Sequence, residues 1–183
     1  QHQMFIAQHF KFDRPRQWLN SGGLGTMGYG FPAAIGAQIA LPDEKVCVIS
    51  GDGSFQMNSQ ELSTCLQYHL PLKIIIMDNK ALGNVKQWQD MFYGGRHSET
   101  ILNDNPDFVK LAEAYGHVGM RILLPSELHD GLAEAFSDKY KDRLVLIDIR
   151  IDPEEKVFPM QLGGGAMCDI RFSETETTET ARK

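Results

Sequence analysis

The chain has 183 residues, of which 42% are hydrophobic and 23% charged, and it carries a formal net charge of −6. That length and apolar content suffice for one domain with a sizeable core and exclude general disorder. The acidic balance and the lack of a basic stripe exclude nucleic acid as the main partner, and no apolar stretch approaches the roughly 20 residues that span a bilayer.

The chain opens Gln1-His2-Gln3, with no initiator methionine and no secretory leader, which suggests a fragment or a processed product. Residues 16–21 read as a weak strand and Gly30–Ala40 as a helix. The run 46–50, rich in Val and Ile, reads as a buried strand. Residues 58–68 read as a helix, with Asn58 and Glu61 spaced as in a capping box. A second buried strand follows at 72–78, then a helix at 107–115 opened by Pro106-Asp107. Residues 117–122 form a weaker strand candidate, 125–140 a helix that Ser126 can cap, and 144–151 a third apolar strand. Pro71 and Gly116 stand where helices should stop.

Short apolar runs alternating with amphipathic helices predict an α/β fold: a doubly wound parallel sheet flanked by helices. The domain is expected over 1–152, an extension lying over its site over 153–172 with a flexible joint at Gly163-Gly164-Gly165, and a disordered polar tail over 173–183. Cys47, Cys65 and Cys168 are odd in number, far apart and never in a CxxC pair, so buried reduced thiols in a cytoplasmic setting are expected.

The chemistry concentrates at two strand ends. One strand runs into Gly51-Asp52-Gly53-Ser54 and the next into Asp78-Asn79. In an open parallel sheet, ligands bind beyond the carboxyl ends of the strands, so adjacent strands would present Asp52 and Asn79 to one crevice. A carboxylate, an amide oxygen and a carbonyl near Ala81 suit Mg²⁺, which takes oxygen ligands and keeps phosphate oxygens or water in the remaining positions. Gly53 lets backbone amides approach a phosphate. A lone GDGS is ordinary turn chemistry; the Asp78-Asn79 partner argues for a metal site. Gly23-Leu24-Gly25-Thr26-Met27-Gly28 also matches a dinucleotide fingerprint, but that leaves Asp78-Asn79 unexplained. A calcium loop at 78–83 fails because Lys80 stands where an oxygen ligand is needed. His69, His97, His117 and His129 lack metal-ligand spacing.

GDG, residues 54–77 and then Asp78-Asn79 resemble the GDG…NN motif of thiamine diphosphate enzymes, with Asp in place of the first Asn. Gln1-His2-Gln3-Met4, the segment 21–30, Gln60-Glu61-Leu62-Ser63-Thr64, Val85-Lys86-Gln87-Trp88-Gln89 and 111–116 narrow this to a resemblance to the acetolactate synthase large catalytic subunit, over residues 1 to about 172.

The resemblance implies Asp52, Asn79 and the carbonyl of Ala81 on magnesium, with Gln1, His2, Gly53 and Ser54 on the diphosphate. It implies Gly25 and Met27 on the pyrimidine and ring bend, Gly83 and Val85 lining the site, and Asn84 and Trp88 at the substrate pocket. Asn84 replaces a usual Met, which leaves acceptor preference open. The implied reaction condenses pyruvate, after decarboxylation, with pyruvate or 2-ketobutyrate in branched-chain amino acid biosynthesis. No catalytic side chain is expected in this segment: the activating Glu would come from an N-terminal domain, and FAD would bind mainly elsewhere. The implied assembly is a homodimer of catalytic subunits with a regulatory small subunit. Another thiamine diphosphate-dependent decarboxylase or oxidase of 2-keto acids, or a non-catalytic assembly module, are the alternatives.

Overall fold

The computed structural model describes residues 1–161, 163–166 and 168–174. Helices α1 (His2–His9) and α2 (Gly30–Ala40) precede strand β1 (Cys47–Gly51), which runs directly into the short helix α3 (Asp52–Gln56). Then follow α4 (Leu62–Gln67), β2 (Lys73–Asp78), α5 (Gly83–Phe92), α6 (Phe108–Ala114), β3 (Val118–Ile122), α7 (Leu128–Ala135) and β4 (Val145–Arg150). The four strands form one sheet in the order β1-β2-β4-β3, parallel throughout. Beyond the sheet lies a small antiparallel pair, β5 (Met160–Gln161) with β6 (Ile170–Arg171).

Alternation along the strands sends side chains to opposite faces, and each face has its own core. On one face Ile74 and Ile76 of β2 and Leu146 of β4 pack with Phe31, Phe55, Leu62 and Phe108 from α2, α3, α4 and α6. On the other, Val145, Ile147 and Ile149 of β4 pack with Ile122 and Ala135, and Leu132 and Phe136 close over them. The expectation of a parallel sheet flanked by helices is met. Phe55 sits centrally in the first core, 5.4 Å from the ring of Phe31 and 5.9 Å, edge to face, from that of Phe108. Where the sheet begins, buried Lys73 donates to the carbonyls of Pro71, Tyr140 and Arg143 at 3.2, 2.9 and 2.7 Å, satisfying all three of its protons.

Local expectations failed in instructive ways. Residues 16–21 form no strand, because they have no neighbouring strand to pair with. The 58–68 helix starts with a 3₁₀ turn (Ser59–Glu61), and Asn58 caps nothing: its amide reaches back to the carbonyl of Gly28 at 2.9 Å. The 125–140 helix is also divided, with 3₁₀ turns at Pro125–Glu127 and Asp138–Tyr140 around α7. Its start is held by Glu127, which accepts from the amides of Leu123 and Leu124 at 3.0 Å, not by Ser126. Asp107 does cap α6, accepting from Val109 and Lys110. Of the three free thiols only Cys65 is buried; Cys47, on the outermost strand, and Cys168 are exposed. Among the described residues no helix is long and apolar enough to cross a membrane. Residues 175–183 of the expected disordered tail lie outside the described residues.

Phe55 is 1% exposed. Truncating such a residue removes its transfer energy and leaves a cavity, so Phe55→Ala should cost about 3–5 kcal/mol. Chemical denaturation checks this, and a midpoint shifted down with an unchanged slope is the expected result.

Candidate functional site

The register of β1 on β2 sets the site. Gly51 pairs with Met77, so Asp52 and the pair Asp78-Asn79 leave the sheet side by side at its carboxyl edge. Asp52 opens α3, and Asp52 and Asp78 are both 1% exposed. One side chain joins them: the Asn105 amide donates to Asp52 Oδ2 at 2.6 Å and to Asp78 Oδ1 at 3.1 Å. Gln56 fixes that amide by donating to Asn105 Oδ1 at 2.9 Å. Asp78 Oδ2 takes the Arg150 guanidinium at 3.0 Å.

Asn79, also buried, sits in a tight turn in which its Oδ1 accepts from the Ala81 amide at 3.1 Å. Its Nδ2 donates to Gln1 Oε1 at 3.2 Å, and Gln1 donates in turn to Gln87 at 3.1 Å and to the Glu155 carbonyl at 3.2 Å. An amide oxygen has two lone pairs, so Asn79 Oδ1 keeps one acceptor position. Ala81 is buried and bridges antiparallel to Ile101; the two bonds flanking that bridge use the carbonyls of Lys80 and Thr100, not its own.

Around these groups the backbone is packed as closely as glycine allows. A Cβ on Gly53 would lie 2.6 Å from Leu82 Cδ2 and 3.6 Å from the Met27 methyl, and one on Gly83 would meet Gln1 and come 2.6 Å from Asn79 Nδ2. Half-buried His2 lies against Gly51, and burial lowers its imidazole to about 4, leaving it neutral at ordinary pH. Ser54 Oγ accepts from the Gly28 amide at 2.9 Å, tying the 25–28 loop to α3, and Gly25 in that loop has φ +64°. Met27 is 41% exposed above Gly53.

Helix α5 starts at Gly83. Among the described residues Asn84 Oδ1, in its first turn, is buried without a hydrogen-bond partner. Val85 is exposed and Trp88 48% exposed, so Trp88 is no core residue. Gln87, only 1% exposed, exchanges two hydrogen bonds with the Val157 backbone and so clamps the extension onto α5.

The structure thus gathers Gln1, His2, Met27, Asp52, Gly53, Ser54, Asn79, Ala81 and Gly83 at one edge. Sequence reasoning missed Asn105, Arg150 and Gln87, whose roles depend on contacts across the chain. Among the described residues no three His, Cys, Asp or Glu side chains cluster as a metal cage. A cation here would be held by Asp52, amide and carbonyl oxygens, and ligand phosphate, a donor set suited to Mg²⁺.

A family model, the thiamine pyrophosphate enzyme C-terminal TPP binding domain, matches residues 1–149. The acetolactate synthase isozyme 3 large subunit of Escherichia coli K12 is 56% identical over 178 residues, covering 97% of this chain and 31% of that protein. The acetolactate synthase large subunit of Haemophilus influenzae is 56% identical over 176 residues, covering 96% and 30%. A probable acetolactate synthase large subunit of Methanocaldococcus jannaschii is 51% identical over 170 residues, covering 93% and 28%. The chain therefore spans about three tenths of the length of these relatives. Among solved structures, the thiamine diphosphate-dependent 4-hydroxybenzoylformate decarboxylase of Rhodococcus jostii RHA1 superposes with a TM-score of 0.63 at 32% identity, over 70% of this chain and 24% of that one.

Burial pushes the Asp52 carboxyl up to about 6; the Asn105 and Gly53 donors pull it down and the neighbouring Asp78 raises it. A raised native pKa means that the folded, ligand-free protein holds this proton more tightly than the unfolded chain. The stability it confers is complete below about pH 4 and is lost as pH rises through about 6. Asp52→Asn has no such proton to lose. Without ligand it should melt close to the native protein at pH 4 and be more stable at pH 7, by on the order of 2 kcal/mol. Thermal melts at the two pH values check the difference.

Proposed function

Because this chain belongs to the thiamine pyrophosphate enzymes and carries their C-terminal TPP binding domain, we propose that it is that part of an acetolactate synthase large subunit. The whole protein would condense pyruvate, after decarboxylation, with a second pyruvate or with 2-ketobutyrate. Identity of 50–56% to acetolactate synthase large subunits over nearly the whole chain supports this choice within the family. The observation that carries the cofactor reading is the parallel β1–β2 register, which brings buried Asp52 beside Asp78-Asn79 at the edge where such sheets bind ligands.

Asp52 would supply the charged magnesium ligand, and Asn79 and the Ala81 carbonyl the neutral ones. Gly53 would offer its backbone amide to a diphosphate while Leu82 and Leu102 pack where its side chain would be, Ser54 braces the loop that carries Gly25 and Met27, and Gln1 and His2 close the near side. His2, neutral, can donate one hydrogen bond without adding charge. Bound there, the cofactor supplies the nucleophilic carbon that adds to a 2-keto acid and the electron sink that lets carbon dioxide leave. This chain's share is to bind, orient and keep that centre from water. Val85, Asn84 and Trp88 on α5 would face the acceptor, and the unpartnered Asn84 Oδ1 gives that face a polar point.

FAD and the activating glutamate would belong to other parts of the protein, so the 183-residue chain alone should form no acetolactate. Exposed apolar residues such as Phe10, Phe12, Trp18, Leu19 and Leu24 suit burial against a second catalytic subunit. Three free thiols fit a reducing cytoplasm. The Rhodococcus neighbour keeps a 2-keto acid decarboxylase as second reading; product analysis of the intact protein with pyruvate separates the two.

The chain should bind thiamine diphosphate only with Mg²⁺, seen as a change in tryptophan fluorescence that EDTA reverses. Asp52→Ala should weaken this binding by roughly 100-fold, since it removes the one charged ligand. Binding unaffected by EDTA or by the substitution would refute the proposal.

A further inference from the structure

Two buried carboxylates share this site, and only one is needed as a ligand. Asp52 and Asp78 are each 1% exposed and share the Asn105 amide, an arrangement in which like charges repel strongly. The oxygens of Asp78 are already committed. Its Oδ1 accepts from Asn105 and, at 3.1 Å, from the Lys80 amide, and its Oδ2 holds Arg150 Nη1 at 3.0 Å. Arg150 ends β4 directly opposite Asp78 in the parallel register, and the Ile151 amide donates to the Asp78 carbonyl at 3.1 Å, so backbone pairing fixes the ion pair.

Two nearby cations are engaged elsewhere. Lys86 pairs with Asp90 at 3.0 Å and Glu154 at 2.9 Å, and Arg121 pairs with Asp148 at 3.0 Å and Asp107 at 2.6 Å. Arg150 also lines, with Asn79, Lys80 and Ala81, a pocket of about 290 Å³ beside the strand ends, so its charge lies next to the proposed metal ligands.

We propose that Arg150 is a positioning residue that sets the charge of the metal site, its guanidinium cancelling Asp78 so that Asp52 alone presents net negative charge to Mg²⁺. The Asp78–Arg150 pair then does the work of a neutral amide at the first position of the Asp78-Asn79 strand end. The pair is fixed by strand register, while Asp52 is left to exchange its Asn105 partner for the cation. This inference rests on the magnesium and thiamine diphosphate reading above.

The test uses the intact parent protein with saturating thiamine diphosphate. Mg²⁺ affinity is measured by calorimetric titration for the native protein, Asp78→Asn, Arg150→Gln and the double variant, with Asp52→Asn as control. Asp78→Asn leaves an unpaired guanidinium beside the cation and should weaken Mg²⁺ binding five- to tenfold. Arg150→Gln leaves the second carboxylate unbalanced and should tighten it severalfold, while lowering the melting temperature of the cofactor-free protein. The double variant should return to within about twofold of native affinity and recover the melting temperature. Opposite signs for the two single variants are what charge balance requires and what a packing role would not produce. Two single variants that weaken Mg²⁺ alike, with a double variant no better than either, overturn the proposal, as do affinities unchanged in all three. If Asp52→Asn binds Mg²⁺ like the native protein, the metal site itself is misread and the proposal falls with it.

Discussion

In a parallel strand pair locked at Gly51 and Met77, both chains leave the sheet in the same direction about one strand spacing apart. Whatever follows them meets at one edge, so Asp52 and Asp78-Asn79 are neighbours by virtue of pairing that began several residues earlier. The same register continues into β4, where it sets Arg150 opposite Asp78. Shifting β2 by one residue would send Asp78 to the other face and dissolve the constellation. The core holds that register: β2 lies between β1 and β4, with Ile74 and Ile76 fully buried on one face.

The site is costly to the fold that carries it. Asp52, Asp78 and Asp148 are almost fully buried near one end of the sheet, and burial raises both Asp52 and Asp148. Arg150 and Arg121 offset part of this charge and Asn105 shares its protons between two carboxylates. Asp52, whose carboxyl stays raised to about 6, is the group proposed to meet a divalent cation. Binding sites commonly hold groups that are poorly satisfied until the ligand arrives, since the ligand then contributes the missing interaction.

Much of this was legible in the sequence, for reasons of local chemistry. The β1, β2 and β4 runs are continuous stretches of Val, Ile and Leu that admit little but buried parallel strands, and all three appeared within a residue or two of their expected bounds. That Gly51-Asp52-Gly53 and Asp78-Asn79 would meet was readable because adjacent parallel strands end at one edge of the sheet. What was not legible depends on long-range contacts. Helix α3 is too short to have a period. The helical form of α1 was missed because His2–His9 has almost no amphipathic pattern and no buried residue. Asn58 looks like a helix cap and instead braces the Gly28 loop. Asn105 lies 53 positions from Asp52, and Arg150 lies 72 from Asp78, separations that no local motif spans.

In the proposed site Asp52 and Asn79 turn their oxygens toward one divalent cation. The most direct measurement is a crystal structure of the protein with thiamine diphosphate and Mn²⁺ in place of Mg²⁺, located by its anomalous scattering. A single peak is expected about 2.0–2.3 Å from an Asp52 carboxylate oxygen and from Asn79 Oδ1, with diphosphate oxygens completing the shell. A cofactor bound with the metal away from both residues, or with Asp52 still held by Asn105 and no ion beside it, would rule out this metal site.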